Sequence, residues 1–112
     1  MAYNEKLADR IRERLAEVPK VDEKQMMGGL IFMVNDKMCI GIMKDEMMCR
    51  IDREIVDTLL EKPGCRIMTL EGKRMKGCVL IDETGMKSSK DFEYWVALCL
   101  DFNKRAKRSK RK

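Results

Sequence analysis

The side chains most able to do chemistry in this sequence are five cysteines, because the chain contains no histidine. Without an imidazole, Ser-His-Asp and Cys-His nucleophilic arrangements and His-bearing metal sites are excluded, which leaves only rarer lysine, carboxylate or tyrosine chemistry. The thiols are those of Cys39, Cys49, Cys65, Cys78 and Cys99. Their odd number, wide spacing and mostly apolar neighbours are typical of buried free thiols in a reducing compartment. We therefore predict no catalytic residue, no metal site, no cofactor and a cytoplasmic location.

Phosphate-binding and paired-carboxylate patterns are weak. Gly72-Lys73-Arg74-Met75-Lys76-Gly77 is a glycine-bounded cationic stretch, but it lacks the spacing of a phosphate-binding loop, as does Gly28-Gly29. The carboxylate pairs Asp45-Glu46 and Asp82-Glu83 fall at predicted turns, where charges are normally solvated. None of these patterns predicts a reaction centre.

Methionine is over-represented, with eleven copies in 112 residues. Most lie in strand-like stretches, where flexible thioethers fill irregular cores. The alternative is a methionine-rich docking surface, because the same flexibility suits an adaptable contact with a partner protein.

The basic charge of the chain lies at its C-terminus. The net charge is +5, whereas the segment from residue 104 onward supplies +7, leaving −2 for the preceding residues. The cations of that segment are Lys104, Arg105, Lys107, Arg108, Lys110, Arg111 and Lys112. With no large apolar residue, 104–112 is predicted to be a flexible tail after a domain at 1–103. It either attracts nucleic-acid phosphates without base specificity or acts as a solubilising extension.

The elements that position these residues follow from the apolar pattern. From Asn4 to Val18, apolar residues recur every three or four positions, with Asn4 placed to cap the helix and Pro19 to end it. Gly28-Gly29 could form a bulge or bend at the entry to a sheet. Turn residues separate the strand-like apolar runs that follow, at 30–34, 38–43 and 47–51.

The second half predicts a helix, a hairpin and a helix. Asp52 can cap a short helix that Lys62-Pro63-Gly64 ends, and Ser88 or Ser89 can cap a longer one. Between them, 65–70 and 75–81 are strand-like. The predicted fold is α+β: a mainly antiparallel sheet of a β-meander plus a hairpin, with three helices covering one or both faces, in the order α-β(3-4)-α-β(2)-α. No stretch is long and apolar enough to predict a membrane span.

Three stretches and a tryptophan carry a resemblance to a known family. They are Met26-Met27-Gly28-Gly29-Leu30-Ile31-Phe32-Met33-Val34, Lys37-Met38-Cys39-Ile40-Gly41, Gly72-Lys73-Arg74-Met75-Lys76-Gly77 and Trp95. With them, the chain resembles a stand-alone N-terminal domain of the TfoX/Sxy family. It departs from the family pattern at Met27, where Phe is usual, and at Arg74, where Pro is usual.

The resemblance implies a secretion-chaperone-like α+β fold without catalytic activity. It also implies a link to regulators of DNA transformation, or competence, that act alongside a transcription activator. Full-length members carry a second, helical C-terminal domain, and we expect this chain to end before it. The expected function is therefore a bacterial regulatory or protein-interaction module, and the expected partner is a protein such as a transcription regulator. The alternative is a nonspecific nucleic-acid binder that uses the tail.

The two glycine-containing family stretches are the predicted docking residues. They are Met27, Gly28, Gly29, Arg74, Met75, Lys76 and Gly77. Glycine permits close backbone approach, methionine offers adaptable apolar contact, and the cations can pair with acidic groups, while neither stretch contains a general base. The competing interpretation is that both stretches only make turns.

Overall fold

The predicted α+β class is confirmed by a computed structural model, which describes residues 3–26 and 28–106. Three helices and six strands follow the predicted order. The helices are α1 (Glu5–Arg14), α2 (Val56–Leu59) and α3 (Ser89–Asn103). The strands are β1 (Val21–Met26), β2 (Gly29–Val34), β3 (Lys37–Met43), β4 (Glu46–Arg50), β5 (Cys65–Leu70) and β6 (Lys73–Ile81).

All six strands form one antiparallel sheet in the order β1-β2-β3-β4-β6-β5. The first four strands are the meander, and the β5–β6 hairpin joins it through β6, which pairs with β4. The meander has four strands, the larger of the two predicted numbers. Its additional strand, β1, carries mostly exposed polar residues at the sheet edge, so its sequence has no apolar alternation to reveal it.

Side-chain caps begin α1 and α3 where the sequence predicts them, whereas α2 has no side-chain cap and follows a 3-10 turn that Asp52 caps. The Asn4 side chain accepts hydrogen bonds from the backbone N–H groups of Lys6 and Leu7, and Ser88 accepts one from Asp91. The first helix ends at Arg14 rather than near Val18, because the chain there continues as turns before Pro19. No helix within the described residues is long and apolar enough to cross a membrane.

All three helices pack on the same face of the sheet. Their buried residues, among them Ile11, Val56 and Trp95, form one core with strand residues such as Phe32 and Ile40. The Trp95 indole N–H also donates to the Gly85 carbonyl at 3.2 Å. Of the two arrangements that the sequence left open, helices on one face or on both, the structure has the first.

The opposite face is filled by methionines. Its buried residues are Ile31, Met33, Met48, Met68, Cys78 and Leu80, with Met26, Met38, Met43 and Met75 packed against them. Every member of this second core is a strand residue. Seven of the nine methionines in the described residues lie here, and thioethers that belong to the sheet itself take the place of a covering helix.

The end of α3 is tied to the β2–β3 hairpin. The Asn103 side chain is 3 % exposed and donates to the Val34 carbonyl at 3.1 Å, while the Asn103 carbonyl accepts from Lys37 at 2.8 Å. The predicted domain boundary after residue 103 coincides with the end of this helix. The next residues still contact the body, since Arg105 pairs with Asp52 and Ala106 is buried.

We predict that Asn103→Ala lowers the free energy of unfolding by about 1–3 kcal/mol, because the Val34 carbonyl would lose a buried hydrogen bond. Urea denaturation followed by tryptophan fluorescence measures this. Lys90→Ala, an exposed change on the same helix, is the control and should alter stability by less than about 0.5 kcal/mol. Equal midpoints for Asn103→Ala and the unaltered protein would contradict the anchoring role.

Candidate docking surface

A cationic pocket lies where β6 runs beyond the end of β4. Its volume is about 320 Å³, and we call it the basic pocket. The residues that line it are Arg53, Val56, Arg74, Met75, Lys76, Gly77 and Cys78. Four of the seven predicted docking residues, Arg74 to Gly77, are therefore in its wall.

A local break in the strand pairing shapes this wall. Strand β6 pairs with β4 only from Cys78 onward. Its pairing with β5 shifts register between Ile67, which pairs with Val79, and Thr69, which pairs with Arg74. Gly77 has a φ of +77°, which L side chains rarely adopt. The Gly77 carbonyl also accepts from Ile51 N–H at 2.8 Å. Gly77 therefore joins this wall to the end of β4.

Another part of the pocket lining comes from the turn before α2. The Asp52 carboxylate accepts a hydrogen bond from Glu54 N–H at 2.9 Å and starts a 3-10 turn, Arg53–Ile55. Arg53, in this turn, lines the same pocket as Arg74 and Lys76. The sequence pattern predicts the Asp52 cap but does not indicate that Arg53 lines a pocket. No local pattern marks Arg53, because its role depends on a contact between distant segments.

The cations of the pocket stand out by their lack of partners. Of the eight arginines in the described residues, six hold a close carboxylate, carbonyl or aromatic ring: Arg10, Arg12, Arg14, Arg50, Arg66 and Arg105. The other two are Arg53 and Arg74, both in the basic pocket. Within residues 3–26 and 28–106, the side chains of Arg53 and Lys76 make no hydrogen bond or ion pair.

Arg74 has only a loose ion pair. Its Nη2 atom lies 3.9 Å from Oδ1 of Asp57, and the Asp57 side chain is 93 % exposed. A pair this long and exposed contributes little, because water screens it. Arg12 differs, since its Nε donates to Glu23 at 2.8 Å and this contact lowers the pKa of Glu23. The guanidinium of Arg74 thus remains available to an incoming anion.

The charges of the lining suit the binding of an anion. The lining contains no carboxylate or other general base, and its apolar part comes from half-buried Met75 and buried Val56. Burial raises the pKa of the Cys78 thiol to about 11, so its nucleophilic thiolate is scarce at neutral pH. A carboxylate with an adjoining apolar group matches this mixture of charge and thioether.

The other predicted docking residues lie elsewhere. Gly28 has a φ of +76° in the turn before β2, and a Cβ on Gly29 would come within 2.0 Å of the Ile42 carbonyl oxygen. Gly29 and Gly77 are three strand spacings apart, roughly 14 Å, and at opposite ends of the strands. The structure does not join the two stretches into one site. Met27 lies outside the described residues.

Of the seven predicted nucleic-acid contacts, Lys104 and Arg105 lie within the described residues. Lys104 is exposed, and Arg105 Nη1 lies 3.0 Å from Oδ2 of Asp52, whose pKa is lowered by the Glu54 N–H and by Arg105. Arg105 therefore pairs with the residue that directly precedes Arg53 in the chain. The remaining five lie outside the described residues: Lys107, Arg108, Lys110, Arg111 and Lys112.

The five thiols are all free, and four are buried. Burial raises the pKa of Cys39 and Cys99, and it raises that of half-buried Cys65 to about 11. In the part of the chain that the structure describes, no group of three or more thiols and carboxylates is placed to hold a metal ion. These positions match the buried, unreactive thiols that the sequence predicts.

Comparison with known proteins gives one family. The family described as the TfoX N-terminal domain matches residues 13–103, most of the chain. No curated protein and no solved structure matches the chain.

We predict that the thiols of the native protein react slowly with a disulfide reagent at pH 8, and that Cys65 reacts first. A pKa of about 11 instead of 9.0 lowers the thiolate population about 100-fold, and the other four thiols are also shielded by packing. Labelling followed by peptide mass spectrometry gives the order. All five thiols should react quickly in denaturant, whereas fast labelling of Cys39 or Cys99 in the native state would be inconsistent with this burial.

Proposed function

We propose that this chain, which belongs to the TfoX N-terminal domain family, is a non-enzymatic regulatory module that acts in the cytoplasm by docking a partner protein. The basic pocket is the docking site, and an acidic segment of the partner is its ligand. Regulation of DNA transformation is the process that the family suggests, and a transcription regulator is the kind of partner that this process involves.

One observation carries the proposal. The two arginines without a close partner in the described residues, Arg53 and Arg74, come from segments about twenty residues apart and line the same pocket as Lys76. Cations of like sign repel each other, so such a cluster lowers stability unless an anion neutralises it. Its presence on a body whose first 103 residues carry a net charge of −2 indicates a binding role.

The pocket lining favours a protein segment over a nucleic acid. Half-buried Met75 and buried Val56 line the pocket together with its cations. These groups offer apolar contact next to a charge, as an acidic peptide with a neighbouring apolar side chain requires. No aromatic residue lines the pocket to stack a base.

Nucleic-acid binding is a second candidate, favoured by the position of Arg105. Arg105 pairs with Asp52, and the next residue along the chain, Arg53, lines the basic pocket. Phosphates could then be neutralised by both. Affinity for generic DNA that falls steeply with salt, at equal strength for any sequence, would identify this activity.

We predict that Arg74→Glu combined with Lys76→Glu abolishes partner capture and leaves the melting temperature within a few degrees of the original. Both side chains are exposed, and the Arg74–Asp57 contact is too long to matter for folding. Capture from the native cell, quantified by mass spectrometry, compares this variant with the unaltered chain.

Lys24→Glu combined with Lys90→Glu is the matched control. It changes the net charge by the same amount at exposed positions, with Lys24 on the β1 edge strand and Lys90 at the start of α3. The control should retain the partners that the unaltered chain captures. The docking role is rejected if both variants capture the same proteins, or if the pocket variant fails only because it unfolds.

A further inference from the structure

We infer that β5 is an interaction edge at which two copies of this chain pair, so that their two six-stranded sheets join into one continuous sheet. The pairing is antiparallel and two-fold symmetric, with β5 of one copy beside β5 of the other. This surface is separate from the basic pocket, and the inference does not depend on the proposed function.

Strand β5 ends the sheet with one of its sides unpaired. The strand order places β1 at one edge and β5 at the other, and within residues 3–26 and 28–106 β5 pairs only with β6. In an antiparallel ladder, about half of the N–H and C=O groups of a strand point toward each neighbour. The outward half in β5 is therefore available to another extended strand.

The side chains of β5 do little to protect this edge. Proteins commonly protect edge strands with charged side chains, which make pairing with another strand unfavourable. Strand β1 has this protection, because residues 22–24 are Asp, Glu and Lys and all three are exposed. Strand β5 has one charged residue, Arg66, whereas Ile67 and Leu70 are half-buried apolar residues. Of the two edges, β5 is thus the one suited to pairing.

The charge of Arg66 is directed away from the free edge. Its Nε donates to Oε2 of Glu46 at 3.2 Å, and its Nη2 pairs with the other carboxylate oxygen of Glu46. Glu46 belongs to β4, and β6 lies between β4 and β5. The Arg66 side chain therefore reaches inward across β6, where Glu46 neutralises it, and does not oppose an added strand.

A second copy of β5 suits this edge because the strand can pair with itself without a clash of charges. A two-fold axis perpendicular to the sheet at Ile67 keeps the helices of both copies on the same side. It sets Ile67 opposite the partner's Ile67 and Arg66 opposite the partner's Met68, so no like charges are directly opposed. The same operation on β1, with the axis at Glu23 or Lys24, would set a charge opposite its own copy.

The experiment is sedimentation of the full-length protein at concentrations from about 1 µM to about 1 mM. A reducing buffer is used, because a disulfide through half-buried Cys65 would also join two copies. We expect the mass to rise from that of one chain toward that of two. Amide hydrogen exchange, measured at both ends of this range, should show protection gained at high concentration in residues 65–70.

Thr69→Lys tests the edge directly. Thr69 is exposed, so a lysine there should leave the melting temperature within a few degrees of the original, while placing a cation on the pairing edge of both copies. The dissociation constant of the dimer should rise about tenfold or more. Gln25→Lys is the matched control, because it adds the same charge at an exposed position of the other edge strand, β1. It should leave the dissociation constant unchanged.

The inference is wrong if the unaltered protein stays monomeric over the whole range. It is also wrong if a dimer forms but Thr69→Lys does not weaken it, or if the gained protection lies in residues 21–26 or elsewhere and not in 65–70. Should Thr69→Lys unfold the chain, the exchange pattern of the unaltered protein decides the matter alone, since it requires no variant.

Discussion

The central strands must be covered on both faces, and the rest of the architecture follows from this requirement. Strand β2 is buried at all six positions, with Phe32 on the helix side and Ile31 on the other. Burial of such strands releases roughly 25 cal/mol for each Å² of apolar surface. Three helices provide the cover on one side. On the other side, the unbranched methionine side chains of the strands themselves cover the sheet.

The binding surface is built where this coverage ends. Residues 73–77 of β6 extend beyond the pairing with β4, so their side chains are not needed in either central core, apart from Met75 at the edge of the second. Arg74 and Lys76 can therefore carry uncompensated charge with little effect on packing. The pocket is still positioned firmly, since the Gly77 carbonyl bonds to Ile51 and Asp52 caps the turn that holds Arg53.

Local signals in the sequence predicted most of the elements. The Asn4 and Ser88 caps and the apolar runs that became β2, β3 and β4 are all short-range features. Strand β1 had no such signal, since Asp22, Glu23 and Lys24 are exposed at an edge. Four of the seven residues that line the basic pocket, Arg74 to Gly77, are among those the sequence singles out. Arg53 is not, because its place in the same pocket depends on tertiary packing between segments about twenty residues apart.

A strand that is apolar on both faces cannot find its alignment by polarity. Sliding β2 by one residue would exchange the side chains of the two cores, and every one of them is apolar. The alignment must instead come from shape and from the hairpin that follows. Asn35 and Asp36 adopt φ values of 56° and 65°, which fix a two-residue turn, and a register shift after Phe32 sets the pairing beyond it. Correct alignment of β2 during folding thus depends on two polar turn residues, and neither of them lies in a core.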